Sequence, residues 1–187
     1  MGMTSVWVGE RVRLRAIEPE DWADFLRFDQ DSELQRNVDM VHAPRSAFAT
    51  QAWAEEQATH GEDNDRLQLA IEALETGTVV GACSTNDTSR RCGRFSYGIA
   101  IGREHQRRGY ASDAVKMLLR FMFEERRYHK AEAGVYAYND ASMALQERLG
   151  FQREGHLRDH EFLAGAYQDV IVYGMTAEEF AARHIRR

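Results

Sequence analysis

Six consecutive residues, Gln106-Arg107-Arg108-Gly109-Tyr110-Ala111, bring together groups suited to holding a phosphate. They follow an apolar stretch, Tyr97-Gly98-Ile99-Ala100-Ile101. They precede a run in which Ala111, Ala114, Val115, Leu118 and Met122 recur at helical spacing. A glycine-containing turn that feeds a helix leaves unpaired N–H groups pointing outward, with the positive end of the helix dipole behind them. Arg103, Arg107 and Arg108 add guanidinium groups at the rim, enough for two or more phosphates. The turn belongs to neither common nucleotide-binding type: no G-x-x-x-x-G-K-[ST] is present, Tyr110 stands where a lysine would be required, and there is no G-x-G-x-x-G. From spacing alone, an arginine-rich strand–helix connection without a ligand accounts for the same residues.

Other chemistry-bearing residues point to less. His156 and His160 are four apart with Asp159 and Glu161 nearby, but that spacing straddles a strand end, and no further Cys/His cluster joins them, so no metal site is expected. Cys83 and Cys92 could face each other across a hairpin, yet two thiols are no disulfide framework and reduced thiols are expected. The acidic clusters Asp29–Asp31 and Glu62–Asp65 would favour a cationic ligand, although such clusters are usually solvated faces.

The elements that must position these residues follow from periodicity. Val12–Ile17 alternates and reads as an opening strand. Pro19, Glu20 and Asp21 suit a first helical turn, Trp22, Phe25 and Leu26 give that helix an apolar stripe, and Asp29–Asp31 close it. A polar loop through Asn37–Pro44 leads to a second helix, about Ser46–Thr59, with Phe48 and Trp53. His60–Asp65 is a turn, and Leu67–Ile71 and Val79–Cys83 form a strand pair joined through Glu75-Thr76-Gly77. Arg90–Ile101 supplies the strand before the phosphate turn, with Gly98 as a bulge or close-approach position. Ala131–Tyr138 is a strand, Asn139–Leu149 a short helix ended by Gly150, and Phe151–Leu157 and Tyr167–Met175 are strands about a turn at Ala164-Gly165. Glu178–Arg187 is a short or frayed helix. The sum is an α+β architecture with a mostly antiparallel central sheet flanked by helices.

Taken in order, Gln106–Ala111, the strand Ser96-Tyr97-Gly98-Ile99, Asn139-Asp140-Ala141-Ser142 and Leu149-Gly150-Phe151 resemble the GNAT superfamily of N-acetyltransferases, in its RimJ/RimL-like branch. The first of these is similar to the Q/R-x-x-G-x-G/A acyl-CoA pyrophosphate loop, with Ala111 where many relatives carry a second glycine. The resemblance covers roughly Val12–Tyr173. It implies the GNAT fold, with splayed middle strands that admit the pantetheine arm, and acetyl-CoA as co-substrate. It implies that the two early helices overhang the acceptor pocket.

Acyl transfer to an amine needs a proton acceptor, donors for the oxyanion and a donor for the departing thiolate. The resemblance places the backbone of Ile99, Ala100 and Ile101 against the oxyanion and pantetheine, and Gln106, Arg107, Arg108, Gly109, Tyr110 and Ala111 against the pyrophosphate. Many relatives have a tyrosine acid where this chain has Gln146, which cannot act as one. The matching Asn-x-x-Ser pattern gives Ser142 to the sulfur and Asn139 to the pantetheine. Glu161 is the leading base, with Asp159 and Asp169 as backups and His160 as a possible assistant to proton transfer. A carboxylate is a weak base toward an amine unless burial strengthens it or a water relays the proton.

The bulk properties agree with this class. The 187 residues suffice for one domain with a substantial core, over 1–187. Hydrophobic content of 43% and charged content of 29% are those of a soluble globular chain. A formal charge of −6 disfavours a nucleic-acid or anionic-membrane binder, and the absence of a long apolar run points to a cytoplasmic enzyme, monomer or homodimer. The expected reaction is acetylation of a primary amine, most like that of a protein N-terminus. A small cationic amine (a polyamine or aminocyclitol antibiotic) and a non-catalytic acyl-CoA sensor are the alternatives.

Overall fold

The computed structural model describes residues 5–59 and 65–185. All but Asp65 of the expected turn over His60–Asp65 and of the acidic cluster Glu62–Asp65 lies outside the described residues, as do the last two positions of the C-terminal segment. The chain divides into two compact units, Met1–Thr85 with Gly98–Met117, and Asn86–Tyr97 with Leu118–Arg187.

In the first unit, β1 (Val12–Ala16) buries Val12 and Leu14 and exposes Arg13, the period-two pattern of a strand with one face on the core. It pairs antiparallel with β2 (Gln68–Ala73), which pairs antiparallel with β3 (Val79–Ser89) through a register shift at Ile71/Glu72. The order β1-β2-β3 is completed by the Gly98–Ile101 end of β4 (Arg94–Ile101). A short 3-10 turn with Pro19 in its first position leads into α1 (Trp22–Asp29). Then come α2 (Ser32–Val38) and α3 (Ala47–Thr59). Ile17, Phe25, Ala54, Ala70 and Val79 form the buried centre, with Trp22, Phe28, Trp53 and Ala82 packed on it. Burying a side chain such as Phe25 contributes about 1.5–3 kcal/mol.

The helix α2 corrects the expectation that Asp29–Asp31 merely close a helix before a loop. Asp31 instead caps a new one, its Oδ1 accepting the N–H groups of Glu33 (3.0 Å) and Leu34 (3.1 Å). No residue of α2 is buried, so it carries no apolar period to read. On α3 Phe48 is 82% exposed, and the helix buries Thr50 and Ala54.

A charged network underpins this unit. Arg15 makes a forked pair with Asp21 (2.7 and 2.8 Å) and reaches Glu72 at 2.6 Å, while Arg13 reaches Glu72 at 2.8 Å. Burial alone would raise the Asp21 and Glu72 carboxyls. The hydrogen bonds from Arg15 and the Glu18 N–H to Asp21, and from Arg13 and Arg15 to Glu72, outweigh it, so both titrate below their ordinary 3.8 and 4.5. Folded pKa values lower than unfolded ones stabilise at neutral pH and lose that contribution as pH falls below about 4.5 toward the folded values. We expect the melting temperature to drop over that acid window, and Asp21→Asn to start lower at pH 7 with a shallower acid drop. Thermal scans from pH 7 to pH 2.5 check this, and parallel curves for the two proteins would refute it.

The second unit takes the order β4-β5-β7-β6. The parallel ladder of β4 with β5 (Lys130–Tyr136) covers three pairs, Arg94↔Lys130 to Ser96↔Glu132, and is the only parallel one among the described ladders. So short a ladder suits middle strands that splay. β5 continues antiparallel against β7 (Ala166–Thr176), and β7 forms a hairpin with β6 (Gln152–Leu163). β6 is therefore longer than the expected Phe151–Leu157. Its run is masked in sequence because it is exposed almost throughout and shifts register between Leu157 and Glu161.

α4 (Tyr110–Arg120) contributes residues through Met117 to the first unit and continues here into a π turn, Phe121–Glu125. Of its expected apolar face, Ala114, Val115, Leu118 and Met122 are buried and Ala111 is half-buried. Phe95 meets Phe123 and Tyr128 edge-on, and Phe123 meets Phe180 of α6 (Ala177–His184). α5 (Asp140–Leu149) ends at Gly150, whose φ of +101° is the left-handed stop that glycine adopts without a Cβ penalty. Cys83 and Cys92 are both free; burial pushes the Cys83 thiol up to about 12, so it behaves as a core side chain.

Candidate active site

In the first unit, β4 ends at Ile101 and the chain turns through Arg103–His105 into the glycine turn. Gln106 Nε2 donates to the Ile101 carbonyl at 3.1 Å, tying the turn to the strand end. Arg107 (φ +61°) and Gly109 (φ +82°) are left-handed on either side of Arg108. A non-glycine residue held there is uncommon, and it turns successive N–H groups to one side as an anion-binding concavity does. α4 starts immediately afterwards at Tyr110, which is buried, while Arg107 and Arg108 are exposed. Left-handed turn, helix start and exposed guanidinium groups together fit a pyrophosphate.

Two corrections come from this turn. Arg103 is not a rim cation: its guanidinium is held by Asp31 (2.8 and 2.9 Å) and by Glu33 (2.7 Å). That hydrogen bond is the main reason the Asp31 carboxyl titrates at about 2. Arg11, absent from the sequence reading, joins the turn instead. Its backbone N–H donates to Asp113 Oδ2 at 2.7 Å, beside that of Val12 at 3.1 Å, which fixes the start of β1 on the first turn of α4. Its side chain covers Gly109, where a Cβ would stand 3.2 Å from Cδ and Nε. Arg11, Arg108, Tyr110 and Leu74, with the carboxylates Glu10 and Glu75, line a cavity of about 420 Å³. No local pattern could reveal Arg11, because its contact is made far along the chain.

The Ala100 carbonyl is directed at Gly81 of β3, so closely that a Cβ on Gly81 would collide with it. The Ile101 carbonyl accepts from Gln106, and the Gly102 N–H returns to the Val80 carbonyl at 2.9 Å. Backbone groups alternate sides along a strand, so the N–H groups of Ile99 and Ile101 face away from β3 and that of Ala100 toward it.

The same stretch of β4 borders a second cavity of about 420 Å³, wholly within the first unit. Ala82 and Ala100 line it from the strands, Phe25, Phe28 and Asp29 from α1, Val38 from α2 and Trp53 from α3. Phe25 meets Phe28 (centroids 6.2 Å) and Trp53 (5.1 Å) edge-on.

In the second unit, Asn139 caps α5, its Oδ1 accepting the Ser142 N–H at 3.0 Å. The two motif residues are therefore in contact, but the Asn139 oxygen is engaged in the cap. The Ser142 hydroxyl sits half-buried in the first turn of α5. Gln146 is 2% exposed and accepts from the Tyr97 hydroxyl at 2.6 Å, which makes this residue part of the core rather than of a site. Glu161 lies on β6 opposite Gln168, half-exposed, with His160 Nε2 at 3.8 Å, within the strand rather than beyond a turn after Leu157. Asp169 is occupied: the Asp159 N–H donates to it at 2.9 Å and His156 Nε2 at 2.6 Å, bonds that lower its titration. Among the described residues, no group of three or more His, Cys, Asp or Glu could hold a metal ion, and no helix is long and apolar enough to cross a membrane.

The glycine turn and helix start fit the pyrophosphate of an acyl-CoA, and comparison with known proteins gives the class. Residues 11–152 match the acetyltransferase (GNAT) domain family. The chain is 41% identical over 179 residues to the SPbeta prophage-derived uncharacterized N-acetyltransferase YokL of Bacillus subtilis, covering 95% of this chain and 97% of that one. YdaF of the same organism, provisionally named a ribosomal N-acetyltransferase, is 23% identical over 180 residues, 92% of this chain and 95% of the other. The spermidine N(1)-acetyltransferase of Vibrio cholerae serotype O1 is 26% identical over 163 residues, 87% and 91% of the two chains. The crystal structure of spermidine N-acetyltransferase from Vibrio cholerae in complex with CoA and spermine superposes with a TM-score of 0.78 at 22% identity, over 90% of this chain and 97% of that one.

The chain belongs to the GNAT acetyltransferase family. It is an N-acetyltransferase with acetyl-CoA as co-substrate, which sets aside the sensor alternative.

Proposed function

We propose that this cytoplasmic enzyme works as one acetyltransferase domain on the α-amine of a protein or peptide N-terminus, in the manner of the RimJ/RimL-like branch. The observation that carries the reading is the short β4 stretch Ile99–Ile101, which borders the second cavity at Ala100 and is tied to the phosphate turn through Ile101 and Gln106. An amine in that cavity and a pyrophosphate on that turn would both be positioned by one rigid strand. Positioning is the main requirement when the donor is already an activated thioester. The provisional ribosomal name of YdaF supports the choice of acceptor. The polyamine named for the Vibrio cholerae relative supports the second reading, a small cationic amine.

In net terms the amine nitrogen forms a C–N bond to the acetyl carbonyl, the C–S bond breaks, and CoA leaves with its thiol protonated. Glu161 would collect the ammonium proton through water, since its half-exposed side chain leaves that route of the two. The N–H groups of Ile99 and Ile101 would hold the carbonyl oxygen, and the Ser142 hydroxyl would donate to the sulfur. Gly109, Tyr110 and Ala111, with Gln106, Arg107 and Arg108, would hold the pyrophosphate.

CoA release measured against peptides, polyamines and aminocyclitols tests the reading, and turnover of polyamines alone would overturn the choice of acceptor. Ser142→Ala is expected to lower kcat by about tenfold, within the range for loss of a transition-state hydrogen bond, with acetyl-CoA affinity within a few-fold. Wild-type turnover in that variant would mean the thiolate leaves by another donor.

A further inference from the structure

The second cavity carries more than the presence of an amine. On one side it is aromatic and fixed: Phe28 and Trp53 pack on Phe25, which belongs to the core. At its mouth stand Val38 and Met40, 46% and 51% exposed, large apolar side chains with a ligand's worth of surface still in solvent. The wall between is stapled by Gln35, whose Nε2 donates to the Asp29 carbonyl (2.9 Å) and whose Oε1 accepts the His42 N–H (3.3 Å). Among the described residues the charged groups in the lining are Asp29, Asp39 and Arg45, two carboxylates against one guanidinium, a formal balance of −1 with His42 neutral. Arg45 approaches Asp29 only to 3.9 Å, with both side chains over a third exposed, so an incoming ammonium can replace it.

We infer that the acceptor is a primary amine with one positive charge and an apolar group beside it, its ammonium on Asp29 and its apolar part against Phe28, Trp53, Val38 and Met40. One ammonium neutralises the cavity. A polyamine would bring more positive charge than the formal −1 of the described lining, part of it onto an aromatic and aliphatic wall, a desolvation cost only partly compensated. The inference rests on the proposed acceptor site and narrows it: a peptide N-terminus qualifies when its first side chain is apolar, as does a free aliphatic or aromatic monoamine.

The test compares kcat/KM, at saturating acetyl-CoA, for matched peptides beginning with Leu or Ser, for phenethylamine and for spermidine, with calorimetric titration of phenethylamine and spermidine alongside. The Leu peptide is expected to exceed the Ser peptide at least tenfold, and phenethylamine to bind and react better than spermidine. Val38→Glu, at an exposed position that tolerates the change, should weaken phenethylamine binding and strengthen that of spermidine. Asp29→Asn should raise KM for the favoured amine about tenfold at constant acetyl-CoA affinity, the size of one lost charged contact. Spermidine preferred over phenethylamine in binding or turnover would overturn the inference. So would equal Leu and Ser peptides, although peptide acetylation would then leave the proposed function standing. Turnover of phenethylamine with no peptide acetylated would remove the protein acceptor and keep the inference.

Discussion

Replacing Gly109 with glutamate is expected to weaken acetyl-CoA binding by at least 100-fold while the protein remains folded. Three effects add at this position. The backbone sits at φ +82°, where any L side chain costs about 1–2 kcal/mol. A Cβ would press on Cδ and Nε of Arg11 at 3.2 Å, displacing a guanidinium that lines the neighbouring cavity. The new carboxylate would then stand where the N–H groups at the start of α4 await an anion, turning attraction into repulsion. About 2.7 kcal/mol corresponds to 100-fold at room temperature; the repulsion and the displaced guanidinium act on binding directly, whereas the backbone strain weighs on folding. Gly109→Ala separates them: it keeps the backbone strain and part of the Arg11 contact without the charge, and an affinity loss of about tenfold or less is expected. Calorimetry with acetyl-CoA on both variants, with circular dichroism as a check on folding, reads the difference. Unchanged affinity in folded Gly109→Glu would remove the turn from the binding site.

How far the chain could be read in advance depended on whether a residue's role is local. The turn at Gly109 was legible because strand, glycine and amphipathic helix follow one another without interruption. The stop at Gly150 was legible for the same reason. The helix α2 was not, because its only strong determinant is the Asp31 cap, and a single acidic residue looks the same in a solvated loop. Arg103 misled because composition cannot say which charge meets which. Asp31 and Glu33 claim it, and Arg11, with no distinguishing neighbours in sequence, takes its place beside Gly109. Gln146 shows the limit of motif transfer. It stands where many relatives carry an acid, and its contact with Tyr97 puts it in the core and gives the substitution a packing reason. The resemblance puts the two early helices over an acceptor pocket but does not give the lining of the second cavity, which comes from six separate segments whose apolar residues look like ordinary core.

The second large effect is expected of Glu161→Gln, which keeps the shape of the side chain and removes its ability to accept a proton. Glu161 stands half-exposed on β6 with the His160 ring at 3.8 Å, so the substitution should leave folding intact. Of the other candidates, Asp169 is held by His156 and the Asp159 N–H, and such bonds to the charged form make it a poorer base. An α-amine titrates near about 8, so at pH 7 most of the acceptor is ammonium and must lose a proton before it can attack. If Glu161 collects that proton through water, its loss should lower kcat/KM at pH 7 by about 100-fold, the lower end of what positioned proton transfer contributes. The deficit should narrow as pH rises past 8, because the amine then arrives neutral and the base is no longer needed. Affinity for acetyl-CoA should not change. The measurement is a pH–rate profile from pH 6 to pH 10 for both proteins on the same acceptor. Superimposed profiles would exclude Glu161 and move the assignment to Asp159 or His160. A deficit that stayed constant at every pH would make Glu161 a positioning residue for the acceptor rather than the group that takes its proton.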